Sequence, residues 1–448
     1  MGSILGWTSP AQLPLKNGTE YFYVTDAEFA LIGGLASIGA MVGSLVTGPI
    51  SDMIGRRTTM ISLIVPCVVG WAIIIWAQNV RMMLAGRFIL GLAVGSTTVV
   101  CPLYTTEIAE VDVRGTLGTY FQLQVTLGIL YAYIFGAAVS VYWLSVACFI
   151  IPFIFCFMMI WVPESPQYYL KKNNKQEASK SLQWLRGKNY EITGEITAMV
   201  NDIDQMRENK VSFLKAFTST AAKKGLIIGL GIMFFQQFSG INAVVFYSSR
   251  IFSDAGSTLD PNICTLIVGA VMFVATFVSS LVIDRLGRKP LLLVSIIVMA
   301  IAAAVLGGFF YMKNNEDISQ ISWLPIICMC VFIILFSLGF GPIPWMFMGE
   351  IFPAEIKGPA VSIASLFNWL CVFIITSAFS AVVDGIGIDY TFWIFTVLSA
   401  IGAVFVFLLV PETKGKTLDE IQRELGGGSS NSKQNKSDLE TGGSSSKY

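Results

Sequence analysis

Residues 52–57 read Asp52-Met53-Ile54-Gly55-Arg56-Arg57, and residues 284–289 read Asp284-Arg285-Leu286-Gly287-Arg288-Lys289. Each hexad lies between two long apolar runs. Its glycine lets a tight turn reverse the chain, and the flanking charges can bond helix ends at a membrane surface. Two more signals recur in the same order. Glu107 with Arg114 returns as Glu350 with Lys357, and Pro163-Glu164-Ser165 returns as Pro411-Glu412-Thr413. Three ordered repeats at nearly one period imply two homologous halves. Halves built this way, with a path at their interface, are a transporter architecture.

The composition agrees. Of 448 residues 54% are hydrophobic and 13% charged, against about 45–50% and about 25% in soluble domains. The chain has no histidine, which excludes a Ser-His-Asp hydrolase, His-ligated zinc or haem, and a histidine proton switch. Lys+Arg and Asp+Glu balance at 29 each, so no net charge attracts nucleic acid. The eight cysteines sit mostly in apolar runs and read as packing, without disulfides. Neither a metal nor a cofactor is expected.

A spanning helix needs about 20 apolar residues. That window gives eleven full candidates, at about 28–50, 59–78, 82–104, 115–138, 141–162, 224–249, 263–283, 290–312, 322–349, 359–383 and 390–410. Met1–Pro14 lacks the basic start and long apolar core of a signal peptide. It reads as the last turns of a first helix whose beginning is absent. The expected fold is therefore an all-α polytopic membrane protein with eleven complete spans and a remnant of the first. Its boundaries fall at 1–162 for an N-terminal bundle, 163–223 for a cytoplasmic helical linker, 224–411 for a C-terminal bundle and 412–448 for a cytoplasmic tail, disordered from about 426.

If Met1–Pro14 ends outside, 24 of the 29 Lys and Arg fall on inner segments, leaving Lys16, Arg81, Arg87, Arg250 and Lys313 outside. This matches the bias of basic residues toward the cytoplasm. Asn17-Gly18-Thr19 is then a glycosylation sequon in the first outer loop. Glu107 and Arg114 are seven apart, two turns of a helix, so both are expected on one side. Asp52, Arg56, Arg57, Glu107, Arg114, Asp284, Arg288, Glu350 and Lys357 together read as an inner-face charge latch between conformational states.

The chain resembles the sugar porter family of the major facilitator superfamily. Besides the repeated hexad, the resemblance rests on Gly86-Arg87-Phe88, Pro163-Glu164-Ser165-Pro166, Gln236-Gln237-Phe238-Ser239-Gly240-Ile241-Asn242, Gly341-Pro342-Ile343-Pro344-Trp345 and Pro411-Glu412-Thr413-Lys414-Gly415. Gly6-Trp7-Thr8-Ser9-Pro10-Ala11 further resembles insect-type trehalose transporters. A neutral polyol suits carboxamides, which donate and accept in one plane, and aromatic rings that cover its C–H faces. The resemblance implies sugar contacts at Gln122, Gln236, Gln237, Asn242, Trp345 and Asn368. Tyr247 is similar to a family aromatic on the outer gate, while Gly339, Gly341, Pro342 and Pro344 break the helical ladder of their span, which reads as a bending inner-half gate. Gln236, Gln237 and Asn242 lie within two turns of one helix, at about 0°, 100° and 240°, so not all three can face one way.

None of the eleven spans has an Asp or Glu near its middle, which favours facilitated uniport of a hexose or trehalose. The alternatives are a proton-coupled symporter, a transport-inactive sugar sensor or a truncated isoform. Lys357 replaces the family's usual arginine and Gln167 the arginine that commonly follows Pro-Glu-Ser-Pro, both of which should weaken the latch. The expected setting is the plasma membrane, with sugar and the lipid bilayer as partners.

Overall fold

Lipid offers no hydrogen-bond partners, so each long apolar run must close its backbone bonds internally, and a helix does so. The structure is a computed structural model. It describes all residues except 19–20, 111–113, 209–219, 257–258, 316–320, 353–355, 417 and 427–448, and excludes the side chains of 114–116, 202, 205–208, 284, 349, 357–358 and 418–419. The described residues form helices α1 (Gly2–Gly6), α2 (Thr8–Lys16), α3 (Asp26–Ile54), α4 (Arg56–Ser62), α5 (Ile64–Ile75), α6 (Val80–Ile108), α7 (Arg114–Ala138) and α8 (Val141–Met159). Three short helices follow, α9 (Pro166–Lys171), α10 (Lys175–Arg186) and α11 (Thr193–Glu208). The second set is α12 (Thr220–Phe238), α13 (Ile241–Ala255), α14 (Pro261–Leu286), α15 (Arg288–Asn315), α16 (Leu324–Leu338), α17 (Ile343–Ile351), α18 (Lys357–Ile386), α19 (Ile388–Leu409) and α20 (Leu418–Gly426). Eleven segments among the described residues are long and apolar enough to cross a membrane. The tail beyond Gly426 lies outside the described residues.

Before the linker, α3 packs along α6, α5 against α6 and α8, and α1 against α7. After it, α15 packs on α19 and α16, α14 on α16, and α12 on α18. The two sets meet where α3 lies against α18 and α7 against α14. The repeated hexads make equivalent turns, with Gly55 at φ +99° and Gly287 at φ +88°. A side chain is strained at such angles.

Leu63 (φ −66°, ψ −12°) parts α4 from α5 inside the run 59–78 while keeping right-handed helical angles, whereas two other expected spans are sharply broken. The run 224–249 divides at Gly240, whose φ of +96° and ψ of 6° are left-handed. A Cβ there would lie 2.7 Å from the Phe395 ring. The run 322–349 divides between Leu338 and Ile343, where Gly339, Gly341, Pro342 and Pro344 weaken the ladder. Two further expectations are corrected. Glu107 and Arg114 do not share a helix, because Ala109 leaves α6 in an extended conformation (φ −73°, ψ 140°). Arg87, placed by its charge among the outer basic residues, is fully buried inside the helix bundle, where backbone carbonyls replace water.

Candidate functional site

The site grows from the two broken spans. A proline at position i removes the donor for the carbonyl at i−4. Pro344 thus orphans the Phe340 carbonyl and Pro342 the Leu338 carbonyl. Side chains from neighbouring spans fill both places. Gln236 Nε2 on α12 donates to Phe340 O at 2.6 Å and to Gly341 O at 3.2 Å. Ser279 Oγ on α14 donates to Leu338 O at 3.3 Å. Ser295 Oγ on α15 donates to Leu335 O at 2.7 Å and accepts from Phe340 N at 3.2 Å.

Gln236 then links this break to a chain of amides. Its Oε1 accepts from Gln237 Nε2 at 3.2 Å and from Asn368 Nδ2, on α18, at 3.1 Å. Asn242 Nδ2 donates to Gln237 Oε1. The expectation that Gln236, Gln237 and Asn242 could not converge fails because the left-handed Gly240 restarts the helix in a new phase. Within this chain Oδ1 of Asn242 and Oδ1 of Asn368 make no hydrogen bond among the described residues. Trp345, half-buried on the first turn of α17, packs at the edge of the core. Gln122 on α7 is half-buried and makes no hydrogen bond to the amide chain among the described residues.

Tyr247 lies above this cluster on α13, at a local kink (φ −123°, ψ 15°). Its hydroxyl donates to Thr376 O at 2.6 Å, and its ring packs against Phe29 and Phe379 with centroids 6.1 and 4.8 Å away. On the same side Ser9 of α2 and Ser249 of α13 are joined at 3.2 Å, Tyr133 OH donates to Val245 O at 2.7 Å, and Asp26 meets Arg250 at 3.6 Å. All three contacts tie helices before the linker to helices after it. The bias of basic residues makes this the side expected to face outward.

At the opposite ends, each repeat builds one charge cluster within its own set of helices. Arg56 pairs with Glu107 at 2.9 Å and with Asp52 at 2.8 Å. Glu164 accepts from the backbone N–H of Arg56 at 2.9 Å and of Arg57 at 3.0 Å, capping α4, and Ser165 donates to Glu107. In the second set Arg288 pairs with Glu350 at 3.2 Å, and Glu412 accepts from Arg288 N and Lys289 N, each at 3.0 Å. Thr413 donates to Glu350 at 2.5 Å. Burial works against the Glu412 carboxylate, but backbone N–H groups of Lys414, Arg288, Lys289 and Thr413 outweigh it and hold its pKa below the ordinary range. The side chains of Arg114, Asp284 and Lys357 lie outside the described residues. Glu164 and Glu412 were visible in the sequence as repeated motifs, but their capping role depends on folding back 108 and 124 residues.

Inside the bundle, Arg87 donates to Ile4 O at 2.7 Å, Ile32 O at 3.1 Å and Thr8 Oγ1 at 3.0 Å. Its guanidinium carbon lies 5.4 Å from the Trp7 ring centroid. These partners are all uncharged.

Repeated helical halves that gather polar groups where two spans break have the build of a membrane transporter. A family model described as "Sugar (and other) transporter" matches residues 9–425, and the chain belongs to that family. It is 41% identical over 430 residues to the facilitated trehalose transporter Tret1 of Aedes aegypti, covering 95% of this chain and 53% of that protein. It is 42% identical over 433 residues to the facilitated trehalose transporter Tret1-2 homolog of Drosophila simulans, covering 95% of this chain and 88% of that one. The chain thus spans about half the length of some curated relatives and most of others. Among solved structures, the proton:xylose symporter XylE bound to 6-bromo-6-deoxy-D-glucose matches with a TM-score of 0.76 and 25% identity, over 95% of this chain and 97% of that one. A partially occluded inward-open XylE from E. coli matches with a TM-score of 0.77 at 23% identity, over 93% and 97% of the two chains, a likeness of fold alone.

Proposed function

We propose that this chain carries a neutral sugar across the membrane by facilitated alternating access, binding it at the amides of Gln236, Gln237, Asn242 and Asn368. The observation that carries this reading is the hydrogen-bonded link from those amides to the break between α16 and α17. A ligand that exchanges bonds with the amides acts directly on the carbonyls of a hinge at Pro342 and Pro344. Trp345 and Gln122 border the same path, and Tyr247 closes it on the outer side. Relatives named as facilitated trehalose transporters support trehalose as a substrate, with a hexose as the smaller competitor. The residues 1–162 and 224–411 act as two rocking bundles joined by the linker 163–223. The C-terminus is cytoplasmic, the membrane is the plasma membrane, and the exposed Asn17 accepts a glycan.

Uniport is favoured by Arg87, whose three hydrogen-bond acceptors cannot take up a proton at physiological pH. Tracer uptake of glucose and trehalose in sugar-transport-deficient cells tests the proposal. Uptake should stop at equal concentrations on both sides, survive a protonophore, and vary little between pH 6 and 8; accumulation that collapses with the protonophore would overturn uniport. Gln236→Ala also leaves the Phe340 carbonyl unpaired, a loss of about 1–3 kcal/mol. Uptake at low sugar should fall about tenfold with surface expression intact. Undiminished uptake would remove Gln236 from the site.

A further inference from the structure

The closed outer seam contains one amide with nothing to bond. Ser9, Gln12 and Lys16 stand at i, i+3 and i+7 on α2, along one face of the helix. Ser9 touches Ser249 across the seam, accepting from its backbone N–H at 3.1 Å. Lys16 holds Asp26 at 2.6 Å, and Asp26 in turn meets Arg250. Gln12, between them, is 0% exposed, and neither its Nε2 nor its Oε1 has a hydrogen-bond partner among the described residues. Its neighbours in the seam are satisfied: Ser249 Oγ reaches Asn262 Oδ1 and Thr265 Oγ1, both at 3.3 Å.

A carboxamide carries two donors and two acceptor positions. Burying them unmet costs more than an ordinary hydrogen bond gains. That cost falls only on the state in which the seam is shut, because parting the halves turns this face of α2 toward water and incoming sugar. We propose that Gln12 sets the balance between the two facing states, destabilising the outer-closed state and so favouring reopening toward the outside. The proposal rests on alternating access, yet it makes no use of the amide site and concerns a residue that hydrogen-bonds to none of its members.

The test replaces Gln12 by an apolar residue of similar volume and reads which side is open. A Ser249→Cys reporter is labelled from outside with a membrane-impermeant maleimide, and native-cysteine background is subtracted using the chain without the reporter. Gln12→Leu should slow that labelling about fivefold or more. Gln12→Met, which keeps the length of the side chain, should act in the same direction and preserves the test if leucine disturbs packing. In transport, the half-saturating concentration should rise for external sugar and fall for internal sugar, because each side's apparent affinity scales with the fraction of carriers open to it. A merely structural defect would lower the maximal rate without this opposed split. Labelling that is unchanged or faster in both variants would overturn the proposal. Slower labelling in a chain that moves no sugar would sustain it and defeat the transport reading instead.

Discussion

Arg87 shows how a single residue can be misread from composition and still be explained by chemistry. A cation in lipid is expensive unless it faces the protein interior and is bonded there. Its charge alone suggested an outer surface, but two backbone carbonyls and a hydroxyl solvate it in the bundle. Thr8→Val keeps the shape of that hydroxyl's side chain and deletes the acceptor. The purified protein in detergent should lose about 1–3 kcal/mol of stability, read as a lower thermal midpoint. An unchanged midpoint would mean that the guanidinium finds another partner. The partners of Arg87 could not be read from the sequence, since two of the three are main-chain atoms on α1 and α3 and leave no residue-type signal. The amides were legible because Gln and Asn in an apolar run are chemically conspicuous.

Among the elements, the two helix breaks differ in how plainly the sequence announces them. Pro342 and Pro344 lack the N–H that a helix needs, so the α16–α17 break follows from residue type. Gly240 is quieter, because a lone glycine is tolerated inside a helix, and a helical projection that assumes continuity scatters Gln236, Gln237 and Asn242. Gly240→Ala should expose the difference. It meets both a φ of +96° and a ring carbon 2.7 Å from the new Cβ, so transport should fall at least tenfold, beyond the roughly 1 kcal/mol of an ordinary strained position. Gly308→Ala, in α15 with open space around its Cβ site, should leave uptake near the parent level. The carboxylate caps at the helix ends opposite the seam make a separate prediction with a pH sign. Glu412 has a lowered pKa when folded, so its contribution is complete above the ordinary carboxylate range and is lost only as the pH falls through the folded value. Between pH 6 and 8 the cap should not change. Glu412→Gln at pH 7 should imitate acid and lower stability by about 1 kcal/mol, and should flatten the acid limb of a melting-temperature profile. A variant as acid-sensitive as the parent would assign that limb to other carboxylates.

At the scale of the whole molecule, the repeated hexads already implied two halves, because a duplication leaves matched residues at one period. The side on which those halves close is a different kind of fact. It depends on Ser9 with Ser249, Tyr133 with Val245 and Asp26 with Arg250, pairs that occupy no repeated position and so produce no pattern to find. Of the three, the ion pair offers the clearest control. Arg250 holds Asp384 at 2.6 Å and Asp254 at 3.4 Å within its own half, and reaches Asp26 across the seam at 3.6 Å. Asp26→Asn removes only the crossing member of this set along with the Lys16 contact, whereas Asp384→Asn leaves the crossing pair in place. A partly exposed pair of this kind contributes about 0.5–1 kcal/mol. Asp26→Asn should therefore raise outside labelling of a Ser249→Cys reporter about two- to fivefold, opposite in sign to Gln12→Leu. The increase should shrink when the external salt is raised, since exposed charges are screened over about 8–10 Å at physiological strength. Asp384→Asn should change labelling little. If both aspartate variants open the seam equally, closure is governed by the local fold around Arg250, and the bond between the halves is incidental. If Asp26→Asn alone does so, and loses its effect at high salt, electrostatic attraction across the seam helps hold the outer side shut, against the buried amide of Gln12 that works to reopen it.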